Sequence, residues 1–377
     1  MTHLRGITWA HSRGWMPVLA TAQRYMELHP DVTIQWDARS LKAFGDEPVD
    51  TLAEKYDLVV LDHPWMGFLD QKRCFLPLEE HLDPAFLADQ QRFSVGRSYE
   101  SYGYHGHQYA LAIDAACPIA VWVPSKMACP PKEWEQLEAL MREGRVLCAG
   151  TPTGVLMQFY MLLAVRTDQL FQGKKLAEET EICDVLEELK AFFSMLPEIV
   201  FDLTPIQVYE QLADSKSPYA YSPFDFGYSN YARDGYADSL LAAADVVKRQ
   251  GKPLRTVLGG AGLAVSVACK ALPQALDYLR FTAEGKIQQT IYAENGGQPG
   301  HRLAWTSPKV NGLTNHFFEN TLPTLDRALL RPRYPGYLDF QEKAGPMIRT
   351  WLKEGGNVQK LAQELERLFA WSQEEKR

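Results

Sequence analysis

The densest run of chemically capable side chains is Trp9-Ala10-His11-Ser12-Arg13, where the apolar segment Ile7–Ala10 ends. The Trp9 indole offers a stacking face, His11 and Ser12 can exchange hydrogen bonds, and Arg13 can fork a carboxylate or phosphate. The competing reading packs Trp9 in a core and leaves Arg13 on the surface. A second group, Trp36-Asp37-Ala38-Arg39, follows another apolar run and offers Arg39 to a ligand, unless Asp37 and Arg39 only brace their own loop. Asp62 and His63 come directly after the continuous apolar run Asp57–Leu61. Polar residues there sit at the C-terminal edge of a parallel sheet, where ligands collect. Asp114 interrupts an apolar stretch, and a carboxylate there must be paired or face a cleft.

The middle of the chain adds Thr151 and Thr153, which can donate to a ligand or cap the helix they precede. Tyr219, Tyr221, Phe224, Asp225, Phe226 and Tyr228 form an aromatic patch with one acid. Rings plus a carboxylate suit a sugar, with its apolar C–H faces and hydroxyl donors; hydrophobic core is the alternative for half of the rings. Gly260 and Gly262, within a Gly259–Gly262 turn, would let backbone N–H groups approach a ligand.

Other chemistries lack their residues. Gly260-Ala-Gly262-Leu-Ala-Val265 begins like a dinucleotide fingerprint but ends on valine, and Gly150-Thr-Pro-Thr-Gly154 lacks the Gly-Lys-Ser/Thr end of a P-loop. His105-Gly-His107 has no carboxylate or cysteine near it at ligand spacing and reads as a solvated loop, so no metal and no cofactor are expected. Ser12, Ser40 and Ser222 have no nucleophile-elbow context. None of the six cysteines, at 74, 117, 129, 148, 183 and 269, lies in a CxxC pair.

The elements that must position these residues alternate. Ile7–Ala10, Val32–Trp36 and Asp57–Leu61 read as strands, and Val18–Leu28 and Val49–Lys55 as helices, with Gly14–Pro17 breaking the first strand. This βαβαβ order means a parallel α/β sheet. Further on, Val146–Ala149, Tyr219–Ser222, Thr256–Leu258 and Leu263–Cys269 read as strands. Trp134–Glu143, Gly154–Val165, Glu178–Met195, Leu272–Ala283, Gly345–Lys353 and Val358–Trp371 read as helices. No flexible tether or internal repeat interrupts them.

At 377 residues the chain has room for two or three domains. Apolar residues make up 46% and charged residues 23%, the mix of a globular protein with a sizeable core. The formal net charge of −8 argues against nucleic acid as a partner. Apolar runs such as Pro118–Pro124 and Leu263–Cys269 are far too short to cross a bilayer. Met1–Arg5 leads at once into a strand and does not read as a leader peptide. Six free thiols, no disulfide and a cytoplasmic protein are therefore expected as the sequence stands, or a periplasmic or cell-surface one if a leader has been removed.

Four segments carry a family resemblance: HPDVTIQWD, residues 29–37; DLVVLD followed by FLPLEEHLD, residues 57–62 and 75–83; YGYHGHQYALAI, residues 102–113; and, most specific, LGGAGLAVSVACKALPQALDYLRFTA, residues 258–283. With ENGGQPGHRLAW after them, these resemble the bacterial extracellular solute-binding proteins of ABC importers, in the sugar-binding branch with a type II periplasmic-binding fold. The resemblance implies two α/β lobes, each a mixed, mainly parallel sheet flanked by helices. Lobe one would hold 1–112 and 256–303, and lobe two 113–255 and 304–377. It also implies a small polar solute (sugar, polyol or sugar acid) bound between the lobes by hinge closure, in a monomer that works with a transporter permease if exported. The enzyme alternative on the same fold is a thiaminase-I-like transferase with Cys117 as nucleophile and Asp225, Asp62 or His63 as base. A cytosolic sensor is a third reading. Arg13 and Arg39 keep an anionic solute open.

Overall fold

In the computed structural model, which describes residues 1–168, 170–171 and 173–374, the run DLVVL becomes the middle strand of a five-stranded sheet. Eight strands build the two main sheets: β1 Thr2–Trp9, β2 Val32–Arg39, β3 Leu58–Leu61, β4 Leu111–Ala116, β5 Pro118–Trp122, β6 Tyr221–Phe226, β7 Ala242–Ala244 and β8 Gly259–Val265. The first sheet has the order β2-β1-β3-β8-β4. Its first three strands are parallel, and β8 runs antiparallel to both β3 and β4. Every residue of β3 is buried, as a strand covered on both faces requires. The second sheet is β6-β5-β7, all antiparallel.

Only Cys117 separates β4 from β5, so the chain passes from one sheet to the other in a single residue. The crossing was expected at residues 112–115; pairing of Ala116 with Gly259 instead keeps residues 113–116 in the first sheet. The chain returns along Thr256–Leu258, where Leu258 N–H donates to the Leu329 carbonyl and Leu329 N–H to Thr256. A third segment of chain therefore lies beside this return.

Helix α1 spans Ser12–Leu28, α2 Pro152–Arg166, α3 Glu179–Ser194, α4 Leu272–Ala283, α5 Tyr337–Glu354 and α6 Val358–Glu374. Helices α2, α3, α5 and α6 pack on one another beside the second sheet. Every residue from Val155 to Ala164 of α2 is buried, the mark of a helix enclosed on all sides. Both α1 and α4 cover one face of the first sheet around Tyr25, Tyr278 and Tyr292. Among the described residues no helix is long and apolar enough to cross a membrane.

Three local expectations change. The first helix begins at Ser12, not Val18, because His11 caps it by accepting the Arg13 N–H, and Pro17 is carried inside. Residues 146–149 make a single bridge, Val146 to Tyr221, in place of a strand. Gly259–Gly262 is strand β8 itself, not a turn. Its glycines are set by packing: a Cβ on Gly262 would lie 2.6 Å from the Tyr102 ring, and one on Gly260, at φ 121°, 2.4 Å from the Asp114 carbonyl oxygen. Gly260 and Gly262 thus serve close strand contacts and a bulge at Ala261/Gly262.

Candidate functional site

Parallel strands β1 and β3 end side by side, and just beyond each lies one member of an Arg–Asp pair: Arg13, matched by Asp114 of β4, and Asp62, matched by Arg331 from far along the chain. At the end of β1, α1 starts with His11 as its cap, which turns Arg13 inward. The Arg13 Nε donates to Asp114 Oδ2 at 2.9 Å, Nη2 donates to Asp114 Oδ1, and Nη1 donates to the Gly227 carbonyl at 2.8 Å. The Tyr228 ring lies 5.0 Å from the guanidinium carbon. Burial works against both charges. Asp114 more than offsets this for Arg13 and raises its pKa, while burial keeps the Asp114 carboxyl above its ordinary range. Desolvation, then the Arg13 charge, lowers the His11 ring to about 4, so it is neutral and its Nδ1 accepts the Arg13 N–H at 3.0 Å.

The segment that follows β6 docks on this edge. Ser12 Oγ meets Tyr236 Oη at 2.6 Å, Asn230 donates to the Gly296 carbonyl at 3.2 Å, and Ser229 N–H donates to Gln298 at 2.8 Å. The Arg233 guanidinium donates to the Ala293 carbonyl. Residues 227–236 from the end of the second sheet thus rest directly on the first half of the molecule.

At the end of β3, Asp62 caps the 3₁₀ turn His63–Trp65 by accepting the His63 N–H at 2.8 Å. Arg331 Nη2 donates to both Asp62 oxygens, at 3.0 and 2.8 Å, and Nη1 donates to Gln341 at 3.1 Å. Arg331 outweighs burial and holds the Asp62 carboxyl well below the usual carboxylate range. His63 is fully buried; desolvation, then the Arg331 charge, lowers it to about 4. Its Nδ1 lies 3.2 Å from Asp62 Oδ1 but is too poorly aligned to bond, so both ring nitrogens lack hydrogen-bond partners. Arg331 Nε and Trp65 Nε1 lack partners too. Tyr102 is buried within electrostatic reach of Asp62, Asp114 and Arg331. Its ring stands edge-on to His63, with centroids 6.3 Å apart.

The structure therefore brings together His11, Ser12, Arg13, Asp114, Asp62 and His63 at neighbouring strand ends, and scatters the rest. Trp9 is core: it packs on Phe44, and Gly14 passes so close that a Cβ there would lie 2.2 Å from the indole. Arg39 bonds the Val60 and Ala43 carbonyls and Glu47, not Asp37, which pairs with Arg5. Thr153 is exposed in the first turn of α2; Thr151 supplies the cap. Tyr221 and Phe224 belong to the core of the second sheet, with Phe224 stacked on Trp134. Asp225 faces neither wall of a cleft. It is buried, accepts from the Ala149 N–H at 3.1 Å and from Ser222 Oγ at 2.7 Å, and braces residues 146–149. Burial lifts its carboxyl to about 6 against those two bonds.

Cys117 is buried in the crossing, and desolvation pushes its thiol up to about 12. The groups that reach it are Thr256, Arg327, Asp245 and Arg13; none of the expected bases is among them. The arrangement does not activate the Cys117 thiol. All six thiols are free. His105 and His107 do find carboxylates, far away in sequence: Asp70 at 2.9 Å and Glu79 at 2.5 Å.

Sequence reasoning missed Arg331 and Trp65. Trp65 stood two residues from His63. Arg331 lies in Arg331-Pro-Arg333, a proline-punctuated stretch with two cations and no periodicity, and nothing local ties it to Asp62.

No known protein-family pattern matches the chain. A curated relative, the maltotriose-binding protein of Pyrococcus abyssi, is 25% identical over 122 residues, which is 32% of this chain and 26% of the relative. Solved structures match almost end to end. Maltose-bound MalE3 of T. maritima superposes with a TM-score of 0.83 at 14% identity, covering 98% of this chain and all of that one. An ABC-transporter solute-binding protein from Agrobacterium radiobacter, in complex with ribitol, gives 0.80 at 16% identity, covering 97% of each chain. One from Thermotoga lettingae bound with α-D-tagatose gives 0.79 at 16% identity, covering 98% of this chain and 100% of that one. Over essentially its whole length the chain has the two-lobe periplasmic-binding-protein fold that these solute-binding proteins share.

Proposed function

We propose that the chain is the solute receptor of an ABC importer and binds a neutral sugar or polyol where the ends of β1 and β3 meet the second lobe. One lobe is built on the first sheet, with residues 1–116 and 256–303; the other is built on the second sheet. The observation that carries the neutral specificity is the pairing of the cations. Arg13 is matched by Asp114 and Arg331 by Asp62, both inside the protein. Arg39, at the end of β2 beside β1, is matched by Glu47. The cations that had kept an anionic solute open, Arg13 and Arg39, are thus already balanced by carboxylates, and so is Arg331. What stays unpaired at the end of β3 is a set of polar hydrogen-bonding groups: His63, Trp65 Nε1 and the Nε–H of the charge-matched Arg331. Buried groups of that kind are completed by hydroxyl and ring oxygens. The fold shared with receptors bound to maltose, ribitol and tagatose supports the same solute class.

A receptor of this kind acts outside the cytoplasmic membrane, as a monomer presented to a permease, with no cofactor and no nucleic acid. The test is isothermal calorimetry of the purified chain against maltose, maltotriose, ribitol and α-D-tagatose, with gluconate as the anionic control. Binding of at least one neutral member, with a rise in melting temperature, is expected. Binding of gluconate in preference to every neutral member, or of nothing in the panel, overturns the reading.

A further inference from the structure

Arg331 reaches the end of β3 on a strap of chain, residues 329–335. This strap begins with the Leu329 bridge to Val257 and is anchored again where the Arg333 carbonyl accepts the Gly67 N–H at 2.8 Å. Arg333 Nη1 donates to the Glu100 carbonyl at 2.5 Å and also to the Gly103 carbonyl. Two arginines of one extended segment, separated only by Pro332, thus both reach into the first half of the molecule, although the helices that follow, α5 and α6, pack on the second. The Arg331 side chain is 4% exposed, and two of its three guanidinium nitrogens are used on Asp62 and Gln341. The third, Nε, has no partner, and neither do the His63 ring nitrogens or Trp65 Nε1 on the turn capped by the same Asp62.

A buried donor without a partner is costly, and a fold can avoid one by small changes of side chain. Three donor-bearing groups left open around one ion pair are better explained by a guest that completes them. An arginine fork fixes direction, and the single ammonium of lysine cannot hold Asp62 and Gln341 and present a further directed N–H at the same time. Because Asp62 neutralises the charge, what Arg331 has left to offer is a directed hydrogen bond to a neutral acceptor oxygen. We infer that Arg331 is the specificity-determining contact that the C-terminal half contributes to the solute site, donating Nε–H to a ligand oxygen alongside Trp65 Nε1 and His63. This role rests on the receptor reading above. It replaces the aromatic stretch Tyr221–Asp225 as that half's share of the site.

The experiment measures Kd for maltotriose, or for whichever panel member the unmodified chain binds, with Arg331→Lys, Trp65→Phe and the charge-neutral double variant Asp62→Asn/Arg331→Gln. Lysine keeps the charge beside Asp62 while Nε–H and the fork are lost; circular dichroism and the melting temperature check that each variant is folded before its Kd is compared. We expect Arg331→Lys and Trp65→Phe each to weaken binding about tenfold or more, and the double variant to weaken it at least as much while folding normally. If Arg331→Lys binds within twofold of the unmodified chain while Trp65→Phe weakens, the solute site stands and Arg331 has no part in recognition. If neither variant changes Kd, the site lies away from this edge and the inference falls. If no panel member binds the unmodified chain, the receptor reading fails and takes the inference with it.

Discussion

At the end of β1, Arg13 gives Nε and both Nη nitrogens to protein oxygens; at the end of β3, Arg331 gives both Nη nitrogens and keeps Nε open. The guanidinium of Arg13 is closed in by the protein: Gly227 and Tyr228 come from the second half of the chain, and Ser12 meets Tyr236, while the open atoms nearby, Ser229 Oγ and Asn230 Oδ1, belong to the docked segment. Around Arg331 the neighbours His63 and Trp65 are left unsatisfied. The same ion pair in a similar position thus completes a brace in one place and leaves a set of open donors in the other. A finished network stabilises and specifies a fold, whereas an unfinished one costs stability and marks a place for a guest.

The largest effect that separates the two edges is on stability. Arg13→Met removes the counter-charge from Asp114, whose side chain is fully buried, and is expected to cost about 3–5 kcal/mol in urea unfolding. Arg331→Met leaves Asp62 with 21% of its side chain exposed and with the His63 N–H still donating to it, so about 1–3 kcal/mol is expected. An equal or larger loss at Arg331 would make both pairs braces and remove the contrast.

The pH dependence of stability probes a feature the edges share. His11 and His63 are both lowered to about 4 by burial, with the arginine beside each as the second cause. Unfolded, each ring takes up its proton near 6.5, so folding is favoured fully above that pH and the contribution fades as pH falls toward 4. Each ring accounts for at most about 3 kcal/mol across that window. His63→Gln and His11→Gln should each flatten the fall between pH 6.5 and 4. Bound solute should steepen the His63 share, because a ligand hydroxyl that donates to the bare ring nitrogen holds the ring neutral. If neither variant alters the slope, the rings titrate freely and the burial argument is wrong at both edges.

How much of this was legible in the sequence follows from range. Asp57–Leu61 announced a two-sided strand by its unbroken apolar run, and Asp62 and His63 were found because they come next in the chain. The density of WAHSR gave away His11, Ser12 and Arg13 for the same reason. Partners were not legible: Asp114 lies 101 residues from Arg13, and Arg331 lies 269 from Asp62. Tyr221 and Phe224 misled because β6 is buried on both faces, so alternation does not tell cleft from core. Gly259–Gly262 looked like a turn because close backbone packing and turns call for the same residue. Trp9 looked like a platform because nothing in the sequence shows that Gly14 folds back over its indole.

The smallest expected effect tests the contrast most finely. Ser12 Oγ and Tyr236 Oη, 2.6 Å apart, tie α1 to the segment after β6 across the β1 edge, and the Tyr236 side chain is partly exposed. Both hydroxyls find water when they separate, so the bond contributes only about 0.5–1 kcal/mol net. Ser12→Ala and Tyr236→Phe should lower stability by about that much. If this edge is a brace that ligand does not touch, the bond affects Kd only by favouring the closed arrangement, and about fivefold is the ceiling. A change beyond about tenfold in either variant, measured with the same panel member as Trp65→Phe, could not come from closure alone. The hydroxyls would then be bonding the solute themselves, and the β1 edge would belong to the site on equal terms with β3.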